Sequence, residues 1–480
     1  MSINALFRSA RFCRCLLVVV LGAAITPVPL PAGAPAADDP DRPARKILQR
    51  WIEAIGGGPE IHGLKSVVYQ CKIGFVENAP PIDLSVRSTV GGQYRCEYQV
   101  PGAGELVQAF DGNIAWQQNL SLGFGLQSPG EHQANRLMAD FRTAIRVGQL
   151  YPRRTLQPDE TIAGRRLQVL EMGSVEGRTE KWYFDPETGY RVRVEILGLG
   201  QREKTVIEYE DFRRVMGAAM VEPFVIRRHE GARKVEITVQ TVLYNEPMDP
   251  GLFSVSPGRM RDQQEIERIL FYNAQVMGLS AITQVRSRIS EQKVKVTTSG
   301  MTYTSKTYNK QPNLMMVEQD VPGMGPTLRG YDGKVGWAWS EVQGYREMQG
   351  PELGQIVGET DLSGPMKLAA QCPLRRLLGE EFVDGRTLTG IALATPQGPA
   401  GNFYFDQKTF ELVRVETEVQ AGQSGKLKVV AEFSDYRPVD GVLLPFRTVF
   451  VNPAMRMEIS VLSVQQNVEI DDALFRPRKE

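Results

Sequence analysis

Histidine and cysteine are scarce in this chain of 480 residues, which holds three histidines and five cysteines. No two histidines stand at the spacing of metal ligands, and no Cys-x-x-Cys pair occurs. The sequence also lacks a Gly-x-Ser-x-Gly elbow, a phosphate-binding loop and a His-Glu-x-x-His motif. These absences remove the commonest signatures of hydrolases, nucleotide enzymes and metalloenzymes. We therefore expect no catalytic residue, no metal and no cofactor.

One acidic stretch, "EYEDF" from Glu208 to Phe212, offers carboxylates that could form a general acid and base pair. A strand whose alternate acidic side chains face solvent explains the same residues more simply. We therefore predict that the protein is not an enzyme.

Neither sign of charge is in excess, because 56 basic residues balance 56 acidic ones. No basic run stands out from the rest of the sequence. A nucleic-acid-binding surface would need such a run or a basic face, so we expect no nucleic-acid partner.

Long hydrophobic runs are missing too, and the longest lies near the N-terminus, from Cys15 to Ile25. Arg8, Arg11 and Arg14 precede it, and an Ala-x-Ala site follows at 34–36. This is the order of a secretory signal, and the run is short for a membrane span of about 20 residues. We predict a signal peptide over 1–36 and an exported, periplasmic protein that is soluble after cleavage. A retained anchor is the alternative.

A block that occurs twice dominates the rest of the chain. "PGAGELVQAFDGNIAW" from Pro101 returns as "PGMGPTLRGYDGKVGW" from Pro322, an offset of 221 residues. At the same offset, "YFDPETGYRVRVE" from Tyr183 falls on "YFDQKTFELVRVE" from Tyr404. Collinear matches over such a length indicate a duplicated domain rather than a short solenoid repeat. We predict two tandem domains, over 37–257 and 262–480.

The local patterns within each copy predict an α+β fold. "ARKILQRWIEAIGGG" has apolar residues on one helical face and glycines that end the helix, whereas "SVVYQCKIGFV" and "QYRCEYQV" alternate as strands do. The dipeptides Asp111-Gly112 and Asp332-Gly333 indicate two-residue hairpin turns. Central segments, Gln133–Val147 and Pro365–Leu378, look helical. Each domain should therefore be one large antiparallel sheet that curves around helices.

Cys71 and Cys96 fall on the first and third predicted strands. In a meander these strands are about 10 Å apart, beyond the Cα separation of about 7 Å that a disulfide spans. We expect two buried thiols on the inner face of the sheet.

The ordered motifs resemble the LolA/LolB-like superfamily of outer-membrane lipoprotein-sorting proteins. The pattern runs "P-G-x-G", then "[FY]-D-G-x-[IV]-x-W", then "Y-F-D-x-x-T" with "V-R-V-E", and covers both copies. The resemblance implies a half-barrel closed by helices over a cavity for acyl chains. The carriers place an arginine before a proline at one strand turn, whereas this chain has Gln311 before Pro312 and Gly91–Gly92 at the equivalent place in copy one.

Aromatic side chains on the concave face are the candidate ligand-binding residues. In copy one we predict that this face carries Tyr69, Phe75, Tyr94, Tyr98 and Trp116. A packed core is the alternative reading of the same residues. In copy two the candidates are Met315, Val317 and Trp337, a less aromatic set that methionine makes more adaptable.

Two functions follow from these expectations. The first is an exported, non-enzymatic carrier whose hydrophobic cavity binds lipid or the acyl chains of a lipoprotein, with peripheral membrane contact as a further expectation. The alternative is an envelope sensor or scaffold that binds a protein partner through the same fold.

Overall fold

A computed structural model describes residues 41–477, except 76–79, 102–103, 175–176, 198–203, 232, 324, 364–366, 396–397 and 421–425. The predicted signal peptide, 1–36, lies outside the described residues. The chain divides into two compact units between Ser256 and Pro257. Among the residues described, no helix combines the length and the apolar character that a membrane span requires.

The first unit contains four helices within its described part. They are α1 (Arg42–Ala54), α2 (Gly58–Gly63), α3 (Pro129–Ala139) and α4 (Thr143–Leu150). A 3-10 turn, Pro250–Phe253, ends the unit.

Its strands are β1 (Ser66–Phe75), β2 (Ile82–Thr89), β3 (Tyr94–Val100), β4 (Gly104–Phe110), β5 (Ala115–Asn119), β6 (Gly123–Leu126), β7 (Arg153–Ile162), β8 (Arg165–Gly173), β9 (Thr179–Phe184), β10 (Arg191–Leu197), β11 (Thr205–Arg214), β12 (Val221–Glu230) and β13 (Arg233–Tyr244). All the described pairings of these strands within the unit are antiparallel. They give the order β6-β5-β4-β3-β2-β1-β13-β12-β11-β10-β9-β8-β7. This confirms the predicted large antiparallel sheet.

Alternation along the strands gives the sheet two distinct faces. We call the inner face the one that carries Cys71, Leu84 and Cys96, and the outer face the opposite one. The inner face joins α1 and α4 in one hydrophobic core, to which Trp51 and Val147 contribute from the helices. A helix that buries one apolar stripe against one face of a sheet is the arrangement that the sequence pattern predicts.

The second unit repeats this succession of elements. Its helices are α5 (Pro257–Val276), α6 (Leu279–Ile282), α7 (Gly350–Glu359) and α8 (Leu368–Gln371), and a 3-10 turn spans Asp472–Phe475. Its strands are β14 (Ser287–Val296), β15 (Met301–Lys310), β16 (Leu314–Val321), β17 (Gly325–Tyr331), β18 (Gly336–Ser340), β19 (Gly344–Glu347), β20 (Leu374–Val383), β21 (Arg386–Thr395), β22 (Gly398–Asp406), β23 (Leu412–Gln420), β24 (Lys426–Val439), β25 (Val442–Asn452) and β26 (Met455–Gln466).

The antiparallel order of the second unit is β19-β18-β17-β16-β15-β14-β26-β25-β24-β23-β22-β21-β20. One predicted helix is only partly correct here. The segment Pro365–Leu378 was expected to be helical, and Leu368–Gln371 forms α8, but β20 begins at Leu374 and the longer helix lies earlier, in α7.

The two Asp-Gly hairpins form, but each turn is longer than two residues. Four residues, Asp111 to Ile114, connect Phe110 of β4 with Ala115 of β5. The Asp111 Oδ1 atom accepts the backbone N–H groups of Asn113 at 2.8 Å and Ile114 at 2.7 Å. Asp332 accepts from Lys334 and Val335 at 2.8 and 2.7 Å. The aspartate thus closes an Asx-type turn with its side chain, which the two-residue prediction overlooked.

The tryptophan of each repeated block is buried on the face opposite to the helices. Trp116 pairs with Ala109, and the two lie in a small core with Val107 and Phe124, separate from the core of the inner face. Its indole N–H donates to the carbonyl of Phe253 at 2.8 Å. The repeated block therefore fixes the end of the unit to the outer face.

The same contact recurs in the second unit, where the indole N–H of Trp337 donates to the carbonyl of Phe475 at 2.9 Å. The aspartates before these phenylalanines, Asp249 and Asp471, cap the two 3-10 turns with their side chains. The residues that the two copies share at the end of each unit thus make equivalent contacts.

Cys71 and Cys96 are free and buried, on β1 and β3, as expected from the strand order. Burial raises the pKa of the Cys71 thiol to about 12. Both thiols are therefore protonated side chains of the core rather than reactive groups.

Candidate functional site

A cavity of about 150 Å³ lies in the first unit, between the inner face of the sheet and the helices. Trp51 of α1, Ile55 directly after α1 and Ile61 of α2 contribute to the wall on the helical side. Leu84 and Val86 lie on the strand side, where the alternation of β2 turns both inward. Most of this lining is apolar, so the cavity favours hydrocarbon over polar groups.

The volume limits what can enter without a change of structure. A cavity of about this size lined by aliphatic and aromatic side chains accommodates benzene. Pockets for drug-sized ligands span roughly 300–1,000 Å³. The cavity therefore holds a short hydrocarbon body or one end of a longer chain.

One carboxyl group interrupts the apolar wall. Glu222 lies at the start of β12 on the same face as Ile226, and both residues line the cavity. The hydroxyl of Tyr69 donates to Glu222 Oε1 at 3.3 Å, and the hydroxyl of Tyr244 donates to the same atom. Burial raises the pKa of Glu222, although both hydroxyl groups favour the ionised form.

A guanidinium group lines the cavity as well. Arg191 is the first residue of β10, and the pairing of β10 with β9 shifts between Arg191 and Arg193. Val194 and Ile196 lie in the core of the inner face, so a regular strand would turn Val192 inward and Arg191 outward. The β-bulge reverses this at the strand end and directs Arg191 to the cavity.

Aromatic rings surround the Arg191 guanidinium. Its Cζ atom lies 4.4 Å from the ring centre of Trp182, 4.9 Å from that of Trp51 and 5.1 Å from that of Tyr209. Cation–π contacts of this kind stabilise a cation that has lost its water. Trp182 is in turn held by its indole N–H, which donates to Glu180 at 2.7 Å.

A second, more polar cavity of about 290 Å³ adjoins the first. Asp140 and Phe141 line both cavities, and Arg136, Arg142 and Arg146 line the second. Arg146 pairs with Asp140 at 2.8 Å. Burial raises the pKa of Asp140 despite this pair.

The candidate residues of copy one fall into three groups. Tyr69 lines the cavity. Phe75, Tyr94 and Tyr98 lie on the inner face but pack into the core around it, where Tyr94 donates to Gln127 at 2.9 Å. Trp116 was expected on the same face and is not, because its pairing with Ala109 puts it on the outer face.

The candidates of copy two divide in the same way. Met315 and Val317 pack beneath Ile356 of α7. Trp337 belongs to a different core, with Met316 and Phe475, so its expected place beside Met315 is wrong. The register is the physical reason, since Trp337 lies opposite Gly330, which lies opposite Met316.

Arg191 and Glu222 were missed because a charged residue in a strand is usually assigned to solvent. One signal was present in the aligned repeat "YRVRVE" and "ELVRVE", where Arg191 falls on Leu412. The second unit has the same shift of pairing, between Leu412 and Arg414, and Leu412 packs against the core there. The two copies therefore share a bulge and differ in the chemistry that it presents.

No cluster of three or more His, Cys, Asp or Glu side chains suited to a metal ion occurs within the described part of the chain. The candidate site is thus a small apolar cavity with one cationic and two carboxyl groups in its wall.

No family model matches the chain, and no curated protein matches it. Solved structures show distant likeness. A DUF1329 family protein from Desulfovibrio piger is 14% identical, with a TM-score of 0.33, over 44% of this chain and 97% of that one. A LolA superfamily protein from Nitrosomonas europaea is 15% identical, with a TM-score of 0.32, over 44% and 97%. The lipoprotein LppX from Mycobacterium tuberculosis is 12% identical, with a TM-score of 0.22, over 43% and 99%.

Proposed function

We propose that the protein is an exported, non-enzymatic binding protein whose first unit holds the acyl part of a lipid-like ligand. The cavity on the inner face is the observation that carries this proposal. Its lining is mainly apolar, and its volume of about 150 Å³ suits a short chain or the end of a long one. Export is supported by the arginines and the apolar run of the N-terminal segment.

A graded series of 1-alkanols tests the cavity directly. The unmodified protein should bind 1-hexanol and bind longer alcohols with little further gain, because the cavity of about 150 Å³ leaves little apolar wall for additional methylene groups. Val86→Phe should abolish this binding, since Val86 lines the cavity and the added ring would occupy it. Isothermal titration calorimetry measures both results.

Val107→Phe is the matched control. Val107 is buried to the same extent as Val86, at 4% exposure each, but lies on the outer face of the sheet. This variant should keep hexanol binding while it loses about 1–3 kcal/mol of stability through overpacking. Equal binding by the protein with and without Val86→Phe would count against the cavity as the ligand site.

A partner-binding scaffold is the second candidate function, and one surface favours it. Phe271, Tyr272 and Val276 of α5 expose 59, 44 and 40% of their surfaces, an unusual density of exposed apolar side chains on one helix. Under this alternative, Phe271→Ser would release a protein that co-purifies with the full chain, whereas Val86→Phe would leave it bound.

A further inference from the structure

Arg191 places a buried positive charge on the wall of the apolar cavity. Only 6% of its surface is exposed. Among the described residues, none accepts a hydrogen bond from its Nε or Nη1 atom. The aromatic rings around it supply cation–π contact but no negative charge. The guanidinium also forms a hydrogen bond with the hydroxyl of Tyr209, but no carboxylate forms an ion pair with it in the described part of the chain. A buried cation that lacks an ion pair is costly, so the site is incomplete as a purely structural element.

We propose that the cavity binds a small apolar carboxylate, with its anionic group on Arg191 and its hydrocarbon part against the apolar wall. The proposal rests on the proposed function and specifies its ligand class. Charge-assisted hydrogen bonds from a guanidinium to a carboxylate are among the stronger polar contacts in proteins. Burial strengthens them further, because little water screens the charges.

The charges of the wall favour a monoanion. Arg191 is the one basic residue among those that line the first cavity in the described chain, and Asp140 and Glu222 line it as well. A phosphate monoester carries a charge of about −1.5 to −2 at neutral pH. Its second charge would find no further cation there and would face two carboxyl groups. A carboxylate needs only the single cation.

A comparison of the two units at the β-bulge confines the proposed carboxylate site to the first unit. Leu412 occupies the bulge position of the second unit, where an apolar core surrounds it. Arg193, two residues from Arg191, points to the opposite face and is neutralised by Glu195 at 2.9 Å and Glu208 at 2.5 Å. We therefore expect one carboxylate per chain.

Hexanoate and 1-hexanol, which have the same number of carbon atoms, test the assignment at pH 7. The full chain should bind hexanoate about 10- to 100-fold more tightly than hexanol, the range expected for hydrogen bonds to a charged group. Arg191→Leu, which copies the second unit, should remove this preference. Arg191→Lys should restore part of it, and Arg193→Leu should leave it unchanged. Calorimetry gives the affinities, and the fluorescence of Trp51 and Trp182 reports binding beside the guanidinium.

Each outcome decides between the two proposals. Equal affinities for hexanoate and hexanol in the unmodified protein would overturn the carboxylate assignment and leave the apolar cavity standing. A hexanoate preference that survives Arg191→Leu would place the anion elsewhere and overturn the assignment too. Failure of both probes to bind would remove the proposed function itself. If Arg191→Leu does not fold, the comparison of the two probes in the unmodified protein and in Arg191→Lys still decides.

Discussion

Glu222 shows how burial and hydrogen bonding oppose each other at one side chain. Burial raises the pKa of its carboxyl group, and the hydroxyl groups of Tyr69 and Tyr244 lower it by a smaller amount. The folded protein therefore binds this proton more tightly than the unfolded chain does. Stability is complete below the unfolded pKa, about 4.3 for glutamate, and falls as pH rises through the raised folded pKa.

We predict that Glu222→Gln becomes progressively more stable, relative to the unmodified protein, as pH rises above the unfolded pKa of about 4.3. The amide cannot ionise, and its oxygen can still accept the two tyrosine hydroxyl groups. Urea unfolding at a series of pH values measures the difference in the free energy of unfolding.

Glu97 provides the control of opposite sign. Burial raises its pKa, but hydrogen bonds and charge from Arg95 and Arg87 outweigh this and lower it overall. Its contribution to stability is present above the unfolded pKa and disappears as pH falls, so Glu97→Gln should lose stability relative to the unmodified protein as pH rises. A pH-independent difference for Glu222→Gln would contradict the raised pKa.

The sequence predicted part of this site, and the missing part has a physical cause. Tyr69 was found because strict alternation assigned it to the inner face, and the structure places it at the cavity. Trp116 was misplaced because its face depends on the cross-strand register: it lies opposite Ala109, which lies opposite Arg95 on the outer face. Arg191 reaches the inner face only through a bulge, and a bulge leaves no mark in the periodicity of a single strand.

At the scale of elements, both units use one asparagine to join the last long strand to the first. Asn245 and Asn467 have φ angles of 63° and 55°, in the left-handed region. Their side-chain oxygens accept the backbone N–H groups of Lys65 and Arg286, each at 2.7 Å. Asparagine tolerates this conformation better than other residues with a Cβ atom, apart from aspartate.

We predict that Asn245→Ala destabilises the first unit more than Asn245→Gly does, by roughly 1 kcal/mol. Both variants lose the hydrogen bond to Lys65, and only alanine adds steric strain at positive φ. The urea midpoint of the first unit measures the difference.

Asn113 is the matched position, since it lies in a turn and is not among the residues with positive φ. Its backbone N–H remains available to Asp111 in either variant. There the order should reverse, with Asn113→Gly less stable than Asn113→Ala because glycine increases the entropy of the unfolded chain. The same order at both positions would show that backbone strain is not the cause at Asn245.

Element types followed from the sequence where the period was long and clear, as in α1 and in β1 to β3. The end of the segment Pro365–Leu378 was misassigned because its apolar residues Leu374, Leu377 and Leu378 fit a strand as well as a helix. Short apolar runs of this kind are decided by tertiary pairing, here with β21.

At the scale of the whole molecule, the sequence proposes two tandem domains, and the strand pairings show the same order in each unit. Each unit holds its own tryptophan–carbonyl contact, Trp116 with Phe253 and Trp337 with Phe475. Each contact closes a separate core, so the two tryptophans can report on the two units independently. We propose that the units unfold as separate cooperative domains.

Trp116→Phe should therefore destabilise the first unit alone, and Trp337→Phe the second alone, each by about 1–3 kcal/mol. Phenylalanine retains an aromatic ring but leaves a buried carbonyl without its donor, which carries that cost. Hydrogen exchange with mass spectrometry in increasing urea measures the protection of each unit's peptides in the same sample.

Because Trp116 and Trp337 lie on the faces opposite to the helices, neither variant should weaken hexanol binding in the folded protein. Trp339→Phe is the control, as no hydrogen bond from its indole is found in the described chain, and it should cost less than Trp337→Phe. If either substitution lowered the protection of both units together, the chain would unfold as one cooperative body, and the proposal of two independent domains would be wrong.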